Sequence, residues 1–266
     1  MTALVGRFEH MLARLAAEGA TGALYGHTGA VYLHQGAVAH AESALAPDLG
    51  IRLTACGRLS RDEWSGIVAE AGAEHRVGKR LVERGRLTLG ELELCHLDVL
   101  FDAAYFALLP GAETTRFRPG VAHWLGPIRP VGAEVLRRET ERRRALLNRV
   151  WPWPCTDAEP VVPRSRKEPD APARSRTAPP VPHGQRAVLG LADGSRTPVQ
   201  IAWLLGRSGF GTVLDVRRLA AAGLVATPSA EPATAQPAAG PPPAADPSST
   251  DISLLMRLRA ALEAHL

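Results

Sequence analysis

The spacing of apolar positions changes period several times along this chain. Phe8, Met11, Leu12 and Leu15 recur at helical intervals, and Gly19 marks where that helix stops. The next stretch alternates, with Val31 and Leu33 set against Tyr32 and His34, the period-two pattern of a strand with one buried face. Glycines 22, 26, 29 and 36 divide it into the runs Ala23–Tyr25, Ala30–His34 and Ala37–Ala41, which predicts a small β-meander. Helical spacing returns from Arg58 to Leu109. Trp64, Ile67 and Val68 mark one helix, and Val77, Leu81 and Val82 a second that stops at Gly85. A third opens at Thr88, with Glu91 completing a capping box. Gly132–Val150 carries Val135, Leu136, Leu146 and Leu147 on one side of a further helix, whose end the WPWP run at 151–154 is expected to pack.

Three helical patterns crowd into Gln185–Thr227. Gln185–Leu191 is brief and ends at Asp193-Gly194, a turn signal. Thr197 then reads as an N-cap with Pro198 at the first helical position. Val199, Ile201, Ala202, Leu204 and Leu205 form its apolar side, Gly206 and Gly209 frame a corner, and Thr212–Ala222 reads as the next helix through Val213, Val216 and Leu219. Gly223 is a C-terminal stop, and Leu224-Val225 starts a strand.

This helix, corner, helix and strand resembles the winged helix-turn-helix of bacterial transcription regulators, as in actinobacterial regulators. The resemblance implies that Thr212–Ala222 is a recognition helix for the major groove of double-stranded DNA, with Arg207, Thr212, Arg217 and Arg218 as the contacting residues. Asp215 lies on the same helix and would repel phosphate. A protein-docking winged helix is the alternative.

The N-terminal stretch resembles the PATAN family of bacterial signalling proteins. Glu18, Gly19, Thr21, Gly22 and Leu24, followed by Gly36, Val38, His40 and Ala41, carry the likeness over roughly residues 3–120. It implies protein–protein signalling without known catalysis, and a closing strand that Thr115–Arg118 would supply. Arg76–Leu92 is similar to half of the N-terminal domain of secretion and pilus ATPases, through Arg76, Val77, Gly78, Leu81 and Leu92. That likeness raises cyclic di-GMP as a ligand, against the plainer reading of a helical hairpin.

Charge sharpens the division. Residues 1–125 hold 12 basic and 14 acidic residues, 126–182 hold 12 and 7, 183–228 hold 5 and 2, and 229–266 hold 2 and 4. The positive excess therefore sits on the middle of the chain and the helix-turn-helix, which suits a nucleic-acid footprint or a basic linker. On the 132–150 helix the arginines are interleaved with Glu134, Glu139 and Glu141, so a solvated face of i,i+4 pairs explains them as well. Hydrophobic residues make up 45% and aromatics only 5%, which points to an aliphatic core.

Candidate chemistry is sparse. Cys56, Cys95 and Cys155 show no paired spacing, which favours a reduced, cytoplasmic protein. Nothing reads as a signal peptide or a membrane span. The histidines form no HxxxH or HExxH pattern, and His40 reads as a strand-end imidazole bonded to backbone or a turn. No catalytic residue, metal site or cofactor is indicated. Thr156–Pro182 and Ser229–Ser249 have the composition of disordered linkers. The tail carries Leu254, Leu258 and Leu262 as an i,i+4 stripe that calls for a docking partner, within this chain or in a second protein or subunit.

The sequence thus predicts an α+β protein. It has a signalling domain over 1–126, a basic helix and WPWP segment over 127–155 and a linker over 156–182. A separate winged helix-turn-helix over 183–228, a linker over 229–249 and an amphipathic docking helix over 250–266 complete it. The expected role is a non-catalytic regulator that receives a protein partner and binds DNA, with a second copy of the chain in a homodimer among the expected partners; the alternative is a protein–protein adaptor without DNA contact.

Overall fold

The glycine-punctuated stretch forms three antiparallel strands, β1 (Gly22–Tyr25), β2 (Gly29–His34) and β3 (Ala37–Ser43). A fourth, β4 (Arg116–Pro119), pairs with β1 and gives the order β3-β2-β1-β4. The computed structural model describes residues 2–109, 115–164 and 180–226, all of which belong to one compact unit spanning residues 1–229. Its class is α+β.

The register sorts the strand residues into two faces. Leu24 pairs with Val31, and Val31 with Ala41, so one row is wholly apolar. Against that face lie α1 (Thr2–Ala17), α5 (Leu89–Ala107) and α6 (Ala133–Val150), whose Leu12, Leu15, Leu100, Ala104, Leu136 and Leu147 share one core with it. On the other face Tyr25, Ala30 and Glu42 form one row and Ala23, Tyr32 and His40 the next. The segment after β4, with Val121 and His123, lies against this more polar face.

A second core joins α2 (Leu49–Ala55), α3 (Arg61–Ala71) and α4 (Val77–Glu83) to one end of α5. Capping boxes at Ser60/Glu63 and Thr88/Glu91 start α3 and α5, each satisfying two helix-end donors at once. The α2 helix has no counterpart in the sequence reading, because only Leu49, Gly50 and Leu53 are buried along it and seven residues are too few for a periodicity to declare itself.

The three helical patterns expected over 183–228 form α7 (His183–Leu191), α8 (Pro198–Leu205) and α9 (Gly209–Ala221). Thr197 caps α8 with Gln200 in a capping box, Pro198 occupies its first turn, and Gly206 ends it in the left-handed conformation at φ 57°. The α9 helix begins at Gly209 rather than Thr212, since Ser208 caps it by accepting from the Gly211 amide at 3.0 Å.

This unit is not the separate lobe that its sequence boundaries suggest. Phe210, Val213 and Leu214 belong to the same core as the sheet, and α9 packs on both α5 and α6. Gly209 permits the approach: a Cβ there would stand 2.7 Å from the Leu45 carbonyl oxygen and 2.9 Å from the Phe106 ring. Burying a side chain such as Phe210 stabilises by about 2–3 kcal/mol, so three in one seam hold the unit firmly.

The first part of the expected 156–182 linker is also built into the unit. Pro154–Asp157 forms a 3-10 turn, and β5 (Val162–Pro163) pairs with β6 (Val225–Ala226). The strand after Gly223 therefore finds a partner upstream of the helices. The remainder of that linker over 165–179, the 229–249 linker, and the terminal helix with Leu254, Leu258 and Leu262 lie outside the described residues. Among the described residues no helix is long and apolar enough to cross a membrane.

Candidate functional site

The four residues read as DNA contacts fall into two classes. Thr212 is fully buried, its hydroxyl donating to the Ser208 carbonyl at 2.9 Å. Arg217 is 2% exposed. Its Nε and Nη2 donate to the Asp157 carboxylate at 2.7 and 2.6 Å, and its Nη1 to the Trp151 carbonyl at 2.6 Å. Neither side chain can meet a groove in this arrangement, because the face of α9 that bears them is turned into the protein. Arg207 and Arg218 remain half-exposed, and both converge on Asp215, Arg207 at 3.3 Å and Arg218 at 3.6 Å. Asp215 thus acts as the partner of the two remaining cations.

The start of α9 is held from below by Asp102, an α5 residue that is completely buried. Its carboxylate accepts from the Ser208 hydroxyl at 2.8 Å and from the Gly209 and Phe210 amides at 2.7 and 2.8 Å. A helix N-terminus attracts negative charge through its free amides and dipole. Burial nevertheless pushes the Asp102 carboxyl above its ordinary range, opposed by those three hydrogen bonds and by Arg143. Arg143 stands 3.8 Å away, bonds the Phe101 carbonyl at 3.2 Å and lies over the Phe210 ring at 4.7 Å. Asp102, Arg143 and Phe210 therefore tie α5, α6 and α9 at one point. The only sequence signal for it is one acid inside the apolar run of α5.

A second polar assembly occupies the far face of the sheet. His40, buried on β3, stacks with His96 of α5 at 5.2 Å between ring centroids and with His123 at 4.0 Å. His96 places Nε2 3.0 Å from the Ala39 carbonyl. The Leu125 amide donates to His123 Nδ1 at 3.2 Å, which leaves the His123 proton on Nε2, where it is given to Glu42 at 2.7 Å. The Tyr32 hydroxyl donates to the other Glu42 oxygen at 2.8 Å. The Nδ1 atoms of His40 and His96 are buried and have no partner.

Burial sets how these groups titrate. It holds His40 far below the ordinary imidazole range, with the neighbouring His123 and His96 adding to the effect. It takes His96 down to about 4, partly opposed by the bond to Ala39. Burial raises Tyr32, reinforced by Glu42. Glu42 itself goes the other way: burial favours its protonated form, but the hydrogen bond and charge of His123, with donation from Tyr32 and Trp124, outweigh that and lower it. The His40 of the sequence reading is thus no strand-end residue with a backbone bond; it is interior and half-unsatisfied. The spacing of His40, His96 and His123 gives no hint that they meet, since a strand, a helix and a loop bring them together.

The assembly stacks rings instead of pointing nitrogens at a common centre, and no group of His, Cys, Asp or Glu with metal-holding geometry occurs among the described residues. The arginines of α6 do not form a free basic face either. Arg137 and Arg138 bond Glu134, Arg142 and Arg143 bond Glu139, and Arg144 bonds Glu9. Comparison with protein-family models, with curated proteins and with solved structures finds no match.

Proposed function

We propose that this chain is a non-catalytic bacterial signalling adaptor of the cytoplasm, in which the helix-turn-helix is a structural part of a protein-binding body and makes no direct contact with DNA. One observation carries this reading: the helix that would read the groove is locked face-inward by Asp102 at its start and by the Arg217–Asp157 pair along its length. Turning it outward would strip Phe210, Val213 and Leu214 from the core and leave a buried carboxylate without its donors. Each loss costs on the order of 2 kcal/mol or more, and their sum approaches the whole stability of an ordinary domain. The arginines of α6 support the same reading, because Arg137, Arg138, Arg142 and Arg143 are matched locally by Glu134 and Glu139. No cofactor or metal enters this role.

The test is retention on mixed-sequence duplex DNA at low salt. A binder through phosphate loses affinity steeply as salt rises. The adaptor reading expects no salt-sensitive retention of the wild-type chain and no change on reversing Arg207 and Arg218 to Glu. Retention that salt abolishes, and that the double reversal abolishes with the fold intact by circular dichroism, would restore the DNA-binding regulator.

A further inference from the structure

A cleft of about 650 Å³ opens where the β1–β2 turn, the end of β3 and α8 come together. Its size lies within the range of small-molecule sites. Leu45, Pro47, Val99 and Trp203 give it apolar walls, and the Trp203 indole is 42% exposed there with nothing covering it among the described residues. Tyr25, Ala30 and Glu42, one row across three strands, form part of the lining. His40 also lines the cleft, two residues before Glu42 on the same sheet face; its ring is 2% exposed and its Nδ1 has no partner.

The charges of this lining have one sign. Glu42 and Asp48 contribute carboxylates, and no Lys or Arg is among the described lining residues. Asp48 is engaged in capping α2 through the Ile51 amide at 2.8 Å. The Glu42 carboxylate accepts from the Tyr32 hydroxyl at 2.8 Å and from His123 Nε2 at 2.7 Å. No Lys or Arg is paired with it among the described residues, and its side chain is 42% exposed. The groove between α1 and α6 is different, since Glu9, Glu134 and Arg137 that line it are all ion-paired.

From the cleft's apolar walls and a part-exposed carboxylate that no Lys or Arg pairs, we propose that it binds a hydrophobic primary ammonium: a small molecule with an aromatic or branched apolar body and one –NH3+ group. The ammonium has three donors and no acceptor. One meets the Glu42 carboxylate, and the others stay toward solvent at the mouth of the cleft. The apolar body lies against Trp203, Leu45 and Pro47, and the indole face adds attraction for the cation. This site is independent of whether the chain is an adaptor or a DNA-binding protein.

Isothermal titration of the full chain with 2-phenylethylammonium, 2-phenylethanol and 3-phenylpropionate tests it, since the three share a body and differ in charge. The ammonium is expected to bind at least about tenfold more tightly than the alcohol, as one charge-assisted hydrogen bond provides, and the carboxylate most weakly. Glu42→Gln is expected to remove the preference for the ammonium while leaving the alcohol unchanged. Trp203→Ala, at an exposed rim, is expected to weaken both. An alcohol that binds as well as the ammonium, or no saturable heat from the ammonium up to about 10 mM, overturns the proposal. The wild-type ratio decides it even if Glu42→Gln fails to fold.

Discussion

The α6 and α9 helices both carry arginines, and they use them in opposite ways. On α6 the side chains of Arg137, Arg138 and Arg142 are 41%, 74% and 63% exposed, and each is paired with a glutamate three or four residues away. On α9 the Arg217 side chain is 3% exposed and its partners come from sixty residues upstream, Asp157 by its carboxylate and the Trp151 turn by its carbonyl. An exposed pair is screened by water and gains little. A buried guanidinium must have its donors matched, and a partner removed there leaves a desolvated charge. Arginines of both helices enter the charge count alike, yet Arg137, Arg138 and Arg142 decorate the surface while Arg217, like Arg143 beside Asp102, fastens the fold. A regional net charge cannot tell them apart, so the positive middle of this chain is poor evidence for a nucleic-acid surface.

The comparison predicts where charge changes hurt most. Asp102→Ala is expected to have the largest effect, because it removes the acceptor of two amides and a hydroxyl at a fully buried site and frees Arg143. A loss of about 4 kcal/mol is expected, read from urea unfolding with an unchanged slope. Amides at the start of α9 should exchange faster in the variant. A loss no larger than that of an exposed pair would mean that Asp102 is not ionised in the folded protein and that α9 needs no anchor.

Next comes acid. His40 and His96 are both depressed below the ordinary imidazole value, His96 to about 4. The unfolded chain binds protons on these rings near pH 6.5 while the folded protein does not. Stability they contribute is therefore complete above about pH 6.5 and is lost as pH falls from there towards the folded values. For His96 alone the window down to about 4 corresponds to about 3 kcal/mol. Urea midpoints between pH 7.5 and 4.5 should fall, and His96→Phe should flatten the slope while added salt leaves it unaltered. Salt sensitivity would instead place the titrating groups on surface pairs like those of α6.

How much of this was legible follows from distance along the chain. The capping boxes at Thr88/Glu91 and Thr197/Gln200, the corner at Gly206 and the meander runs lie in the residues themselves, since each is decided within a few positions. The inward turn of α9 is not. It depends on Asp102 and Asp157, and nothing near Thr212 or Arg217 announces either. For the same reason the helices of this stretch could be read and the burial of α9 could not. The cleft is equally silent in sequence: Glu42, His40 and Trp203 belong to separate local patterns, and the sheet register with the placement of α8 brings them to one opening.

The smallest effects come from the direct contrast of the two helices. Arg217→Met keeps the apolar length of the side chain but removes its donors, leaving the Trp151 carbonyl and the partly solvated Asp157 without them. About 2 kcal/mol should be lost, less than at Asp102 because water can still reach Asp157. Arg137→Met makes the same chemical change on α6, where Glu134 keeps Arg138 as a partner and both groups face solvent. Its urea midpoint should match that of the wild type. If the two variants lose equal stability, Arg217 is tied to Asp157 no more firmly than Arg137 is to Glu134, and α9 is free to turn outward. A large loss at Arg217 alone means that the chain spends this arginine on its own fold, leaving Arg207 and Arg218, both already shared with Asp215, as the exposed cations of the expected DNA-contact set.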